Sequence, residues 1–409
     1  MFKRSIPLIA SENVTSPAVK QALTSDFGHR YAEGLIGERL YAGCSHIDQV
    51  EFWAVQASKS VFNAEFADVR PISGVLANLV MFTAFTDPGD RIMALSTTNG
   101  GHISHGKRKN GGTAGAVHGL KVQSWKFNKE EYNIDVDASI KKIRQLEEQG
   151  NHIDLYMFGG SLFLFPHPVK ELADVAAEYG SKINYDGAHV AGLIGAGLFQ
   201  DPLREGADSM TLSTHKTFFG PQRGMVVSFN RHKEALARAA FPGLLSSHHL
   251  NTMAALGIAL CEFQEYGEAY SEMVVRNAKA LAEAMHERGF DVVAEAQGFT
   301  ESHQVVVDVT GTPMKNGMTV EKELEKAEII INRNLLPGDG KAGRNYKEPG
   351  GIRLGTSELT RYGMKEGDME DVAEMMKLVV LDGKDPARLR GEVNEFRKDF
   401  QAVQYCFPE

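Results

Sequence analysis

Between residues 154 and 229, short apolar runs alternate with a helix-patterned stretch, and no other feature constrains the fold of this 409-residue chain as tightly. The runs are Asp154 to Phe158, Lys182 to Tyr185, Ser209 to Ser213 and Met225 to Phe229. Each is too short for a stable helix and is rich in residues that suit strands. Val169 to Tyr179 instead repeats its apolar residues at helical spacing. That alternation predicts a mainly parallel sheet with crossover helices, an α/β fold.

The flanking segments fill in the organisation. Ser16-Pro17 reads as an N-cap and N1 pair opening a short helix, with an extended arm before it. Helical periodicity returns over Glu51 to Phe62 and, after Ser73-Gly74, over Val75 to about Phe85. Asp87-Pro88-Gly89-Asp90 then leads into a strand from Arg91 to Leu95. Beyond Leu250 a long helical stretch runs to about Arg288, with an interruption expected near Gly267. Short strands follow over Asp291 to Ala296, Gln304 to Val309, Ile329 to Ile331 and Ile352 to Leu354, with a helix near Val320 to Lys326 and two terminal helices. At roughly 150 residues per domain the length suggests two or three units. We divide the chain into an arm with a short helix (1–29), a large domain (30–262) and a small α+β domain (263–409). The glycine-rich segments 111–115 and 338–343 match no phosphate-loop spacing and read as flexible loops.

Composition excludes several classes of function. The formal net charge is −9, from 44 basic and 53 acidic side chains, which opposes unaided binding to nucleic acid or an anionic membrane. Cys44, Cys261 and Cys406 are far apart and form no CxxC pair, so neither a disulfide framework nor a metal site is expected. Ile6 to Ala10 is too short for a signal sequence, and the most apolar stretches fall short of the roughly 18 residues of a membrane span. A cytoplasmic protein is the expectation.

The chemistry centres on two strand ends. Asp186 closes one apolar run and Lys216 follows another, and ligands of open α/β sheets lie at the C-terminal ends of the strands. A carboxylate able to pair a pyridinium nitrogen and a lysine able to form a Schiff base are the two groups pyridoxal phosphate requires. Either alone is commonplace. Ser73-Gly74, a hydroxyl and a glycine at a helix start, offers a phosphate seat where an ordinary cap is the plain alternative. Arg353 stands in a short apolar strand flanked by glycines, where a planar fork of donors suits a substrate carboxylate or else a buried ion pair. His102 and His189 are two of fourteen histidines, and Glu33 can serve as an acid or base if partly desolvated.

Taken together, these residues identify a resemblance. Leu8-Ile9-Ala10-Ser11-Glu12-Asn13, Tyr31-Ala32-Glu33-Gly34, Ser73-Gly74, Gly100-Gly101-His102, Asp186-Gly187-Ala188-His189, Thr214-His215-Lys216-Thr217 and Gly351-Ile352-Arg353-Leu354-Gly355-Thr356 occur in one order along nearly the whole chain. The chain resembles the serine hydroxymethyltransferases, fold-type I pyridoxal phosphate enzymes that convert serine to glycine and pass the one-carbon unit to a reduced pterin. The resemblance implies that Lys216 carries the cofactor and Asp186 pairs with its ring nitrogen. His102 stacks on the ring, Ser73 and Gly74 bind the phosphate, and His189 and Ser161 lie near the ring hydroxyl, with Thr214 and His215 among the cofactor contacts. It further implies that Arg353, with Ser11 and Tyr41, takes the substrate carboxylate, and that Glu33, beside Tyr31, moves the hydroxymethyl proton. Tyr31, Glu33 and Tyr41 would then reach a neighbouring subunit's site, making the active unit a homodimer.

The chain departs from common bacterial and eukaryotic members at the acceptor side. It has Leu40 where they carry an aromatic, Val75 for a second serine and Gln222 for an arginine. Gly220-Pro221-Gln222, Ser247-His248-His249-Leu250 and Phe299 to Val305 look like the archaeal-type branch, some of whose members use methanopterin-type carriers rather than tetrahydrofolate. The same features leave open a pterin-independent threonine aldolase or transaldolase making β-hydroxy amino acids.

Overall fold

A computed structural model describes residues 3–408; Met1, Phe2 and Glu409 lie outside the described residues. Its centre is a seven-stranded sheet formed by β1 (Phe66–Asp68), β2 (Arg91–Ala94), β3 (Lys121–Ser124), β4 (Leu155–Gly159), β5 (Lys182–Asp186), β6 (Ser209–Ser213) and β7 (Gly224–Ser228), in the order β1-β7-β6-β5-β4-β2-β3. Only β7 opposes its neighbours. Ten residues, 214–223, join β6 to β7, fewer than a crossover helix needs, so the chain can only turn back. The sheet is therefore mainly parallel, as the alternation predicts.

The four predicted runs match β4 to β7 within a residue at either end, and Val169–Tyr179 is the predicted helix. β3 escaped detection because its sequence, Lys-Val-Gln-Ser, is an edge strand with one apolar residue. Strand β1, three residues long, is equally silent. Ser16 caps α1 (Pro17–Leu23) by accepting from the Val19 N–H, and Ser73 caps α3 (Gly74–Phe85) by accepting from Leu76. Helix α2 (Ser45–Val61) starts six residues before the predicted Glu51 and buries Ile47, Glu51, Ala54 and Ser58 on one face.

The interruption expected at Gly267 does not exist: α4 (Leu250–Glu287) is one continuous helix. A side chain at 267 would begin 2.7 Å from the Phe263 ring, so the glycine makes room for that ring, which stacks on Phe218 with centroids 4.5 Å apart. Packing, not chain breaking, explains the residue. The main core takes the helix as far as Val274, and a second core takes it from Ala278 onward. That second core covers a four-stranded antiparallel sheet of β8 (Asp291–Val292), β9 (Gln304–Asp308), β10 (Asn332–Asn334) and β11 (Gly351–Gly355), in the order β8-β9-β11-β10.

The arm belongs with this second unit. Its Ile6–Pro7 strand pairs in parallel with Ile329–Ile330, and the Gly355 N–H donates to the Leu8 carbonyl. The segment 111–115 is not the flexible loop its composition suggests. Thr113–Ala116 forms a helical turn, and Cβ atoms added at Gly112 or Gly115 would fall within 2.3 Å of the backbone at Gly106 or Arg108. The glycines there allow two chain segments to touch. Among the described residues no helix is long and apolar enough to cross a membrane.

Candidate active site

The parallel order reverses at β2, which has β3 on one side and β4 on the other, and a crevice opens beyond the strand ends there. The turn after β2 carries His102, Ser161 follows β4, Asp186 ends β5, and Lys216 lies just past β6. Ser73 and Gly74 enter from the start of α3. A cavity of about 270 Å³ is lined by Ser73, Gly74, Asn78, His102, Asp186, His215, Lys216 and others, just below the roughly 300–1,000 Å³ typical of small-ligand clefts. Six residues singled out from sequence thus meet in one place.

The Asp186 carboxylate is buried and surrounded by donors. His105 Nε2 lies 2.8 Å and Asn78 Nδ2 2.9 Å from its Oδ2, and the Ala188 N–H donates to Oδ1 at 3.0 Å. Burial alone would raise its pKa, but the His105 hydrogen bond, the His105 and His102 imidazoles and Asn78 outweigh it and hold the carboxyl well below the usual range. It stays ionised. Lys216 is driven down to about 8 by burial and by the Arg353 charge, against the pull of Asp186. A neutral amine is therefore available near neutral pH. Burial takes His102 down to about 4, and its Nδ1 accepts from the Ser104 N–H, so the ring is neutral and presents Nε2–H.

Two close approaches, one of backbone to side chain and one of backbone to backbone, shape this cavity. A Cβ at Gly74 would fall 2.4 Å from Ser213 Oγ, and one at Gly159, where φ is +87°, would fall 2.1 Å from the Asp186 carbonyl. Only glycine permits α3 and β4 to come so close to the strand ends.

Arg353 is buried beside the cavity. One terminal nitrogen donates to the Ser161 carbonyl, while Nε and the other terminal nitrogen each lie 3.2 Å from Asn332 Oδ1. Burial lowers it to about 10, and the planar fork is oriented by β10 across the small sheet. His189 Nδ1 accepts from Gln304 Nε2 at 3.0 Å, and Gln304 also donates to the Ser161 carbonyl. The ring of His189 stacks against His303. Thr214 turns its hydroxyl onto the Pro221 carbonyl and braces the loop that holds Lys216. Ser11 is half-buried in the arm.

Tyr31, Glu33 and Tyr41 are not brought to the cavity of their own chain. Tyr31 and Tyr41 pack ring against ring, with centroids 5.1 Å apart, and remain about half exposed, while Leu40 beside them is 69% exposed. Three contributors went unnoticed in the sequence: Asn78, His105 and Gln304. Asn78 carried a signal, being an amide within the otherwise apolar first turns of α3, one turn from Ser73-Gly74. His105, three residues after His102, and Gln304, inside a strand, carried none.

The chemical set fits pyridoxal phosphate. A depressed amine suits an aldehyde, an ionised buried carboxylate suits a pyridinium, and the same cavity is lined by a helix N-terminus at Ser73-Gly74 and by His215, whose buried Nδ1 has no partner.

Comparison with known proteins agrees with this chemistry. The family model described as serine hydroxymethyltransferase matches residues 2–376. Curated proteins named serine hydroxymethyltransferase are similar over essentially the whole chain. The one from Cenarchaeum symbiosum is 58% identical over 99% of this chain and 92% of its own length. That from Nitrosopumilus maritimus is 55% identical with the same coverage, and that from Methanocaldococcus jannaschii is 52% identical over 100% of this chain and 93% of its own.

Proposed function

The chain belongs to the serine hydroxymethyltransferase family, and from that premise we propose roles for its residues, its one-carbon acceptor and its active assembly. The enzyme is a pyridoxal phosphate-dependent transferase of one-carbon metabolism that interconverts serine and glycine. Full-length similarity to proteins named serine hydroxymethyltransferase supports this reading over the threonine aldolase or transaldolase one.

Lys216 and Asp186 would hold the cofactor's aldehyde and ring nitrogen, Ser73 and Gly74 its phosphate, with His102, His215, His189 and Ser161 as further contacts and Thr214 acting through the loop that carries Lys216. The observation that carries this reading is the buried Asp186 carboxylate, held ionised by His105 and Asn78, in one cavity with the depressed Lys216 amine. When bound, pyridoxal phosphate supplies an electron sink for the pair left on Cα when the bond to Cβ breaks.

The residues of the chain do the rest. Arg353, its guanidinium fork oriented by Asn332 and the Ser161 carbonyl, binds the substrate carboxylate, assisted by Ser11 and Tyr41. Glu33, next to Tyr31, takes the proton from the serine hydroxyl as formaldehyde leaves, and returns it in the reverse direction. Lys216 would hold the cofactor through its amine, which burial keeps easier to deprotonate than an ordinary lysine. Because Tyr31, Glu33 and Tyr41 stand apart from their own chain's cavity, we place them in the site of a second copy, making the working unit a homodimer.

The acceptor is a reduced pterin of the tetrahydrofolate or methanopterin type. Leu40 offers no aromatic face for stacking, which sets this site apart from that of common folate-dependent members. We assign residues 1–29 to the arm, 30–262 to the cofactor domain and 263–409 to the small domain, in a cytoplasmic protein whose three cysteines stay free.

Adding tetrahydrofolate and tetrahydromethanopterin separately to enzyme and serine tests the acceptor. Glycine formation that depends on either pterin supports the reading, and cleavage indifferent to both refutes it.

A further inference from the structure

The segment that carries Tyr31, Glu33 and Tyr41 is a surface hairpin of two-residue strands, too short to hold its own shape. Its rigidity comes from Arg39. The Arg39 side chain is only 3% exposed and donates in four directions. One terminal nitrogen bonds the Gly34 carbonyl at 2.7 Å and the Ala32 carbonyl at 3.3 Å, gripping the backbone on both sides of Glu33. Nε bonds Asp48 Oδ1 at 2.7 Å, and the other terminal nitrogen bonds Glu51 Oε2 at 2.7 Å. Both acids stand on α2, and Asp48 also accepts from the Gly37 N–H.

The chain of contacts continues inward. Glu51 Oε2 lies 3.5 Å from His248 Nε2, and His248 Nδ1 lies 3.2 Å from a terminal nitrogen of Arg223. Arg223 is fully buried, lines the cavity that holds Lys216, and closes the loop 214–223. Two arginines and two carboxylates balance, so the buried ions compensate one another. A lysine could not replace Arg39, since a point charge lacks the planar fork that reaches two carbonyls and two carboxylates together.

We propose that Arg39 is a positioning residue for Glu33, and that Arg39, Asp48, Glu51, His248 and Arg223 form a buried relay that ties the Tyr31–Tyr41 segment to the loop bearing Lys216. The inference rests on the assignment of Glu33 to the hydroxymethyl proton. It adds that this carboxylate is placed from within its own chain before any partner is met.

The test compares Arg39→Lys, Glu33→Gln and the double variant as holoenzymes in serine cleavage and in exchange of the glycine α-proton, which involves no hydroxymethyl group. Arg39→Lys should slow serine cleavage by about 10- to 100-fold, as small displacements of a reacting group do, while glycine exchange is largely retained. The double variant should be no slower than Glu33→Gln. Amide hydrogen exchange over residues 33–40 should rise in Arg39→Lys. Equal losses in both reactions, multiplying losses in the double variant, or unchanged amide exchange overturns the relay. If Glu33→Gln leaves serine cleavage intact, the assignment of Glu33 fails, and the amide exchange still judges the relay separately. Asp48→Asn, at the more solvated end, provides the same comparison should Arg39→Lys not fold, with smaller effects in the same direction.

Discussion

His105 donates from Nε2 to the Asp186 carboxylate at 2.8 Å, with both side chains cut off from solvent. The carboxylate is thus charged in a place where burial alone would neutralise it. Asn78 joins them, donating to the same oxygen while accepting from the Thr211 hydroxyl. Thr211 in turn accepts from Asn184, whose carbonyl oxygen accepts from Ser209. The network runs from the cavity along β5 and β6.

Asp186→Ala should abolish turnover, by about a thousandfold or more, while leaving pyridoxal phosphate partly bound through Lys216 and the phosphate seat. Absorbance of the bound cofactor and the rate of glycine formation check the two halves. Near-normal turnover would remove Asp186 from its role.

Asn78→Ala should cost about 1–3 kcal/mol of stability, because it leaves the Thr211 hydroxyl without its acceptor and the Asp186 Oδ2 short of one donor in a buried network. Urea unfolding of the apoprotein measures this. A loss below about 0.5 kcal/mol would mean that the network relaxes around the gap.

Capture of pyridoxal phosphate by the apoprotein should quicken as pH rises through about 8, where Lys216 loses its proton, and level off above it. Stopped-flow absorbance from pH 6 to 10 follows it. A midpoint near 10 would show an ordinary lysine.

Acid should destabilise the fold in two stages. Burial lowers His102 and His215 to about 4, and His167 and His303 to about 3. The unfolded chain therefore binds protons more readily than the folded one below about pH 6.5, and stability falls from there downward. Glu51, lowered to about 2 despite burial by His248 and Arg39, adds a contribution that is present above about 4.5 and lost as pH falls through about 2. Urea midpoints at pH 7.5, 6 and 5 should decrease in that order. A flat profile would contradict the buried neutral histidines.

Mixing Lys216→Ala with Glu33→Gln protein under conditions that exchange subunits should restore up to about a quarter of wild-type activity, since half the dimers are mixed and one site in each is intact. No recovery, with exchange demonstrated by mass, would place Glu33 in its own chain's site.

The sequence by itself determined the α/β class, the strands β4 to β7 and the two residues at their ends, because buried parallel strands read as apolar runs and reactive groups follow them directly. It also determined the caps at Ser16 and Ser73, which are local hydrogen bonds. Only the tertiary structure decided that Asp186 is charged, since His105 and Asn78 come from elements more than eighty residues away. Only it showed that α4 runs unbroken through Gly267, where a ring from the preceding turn fills the space of the missing side chain. The grip of Arg39 on the carbonyls flanking Glu33 is likewise invisible in sequence, for the energy of a buried ion depends on what surrounds it and not on its neighbours along the chain.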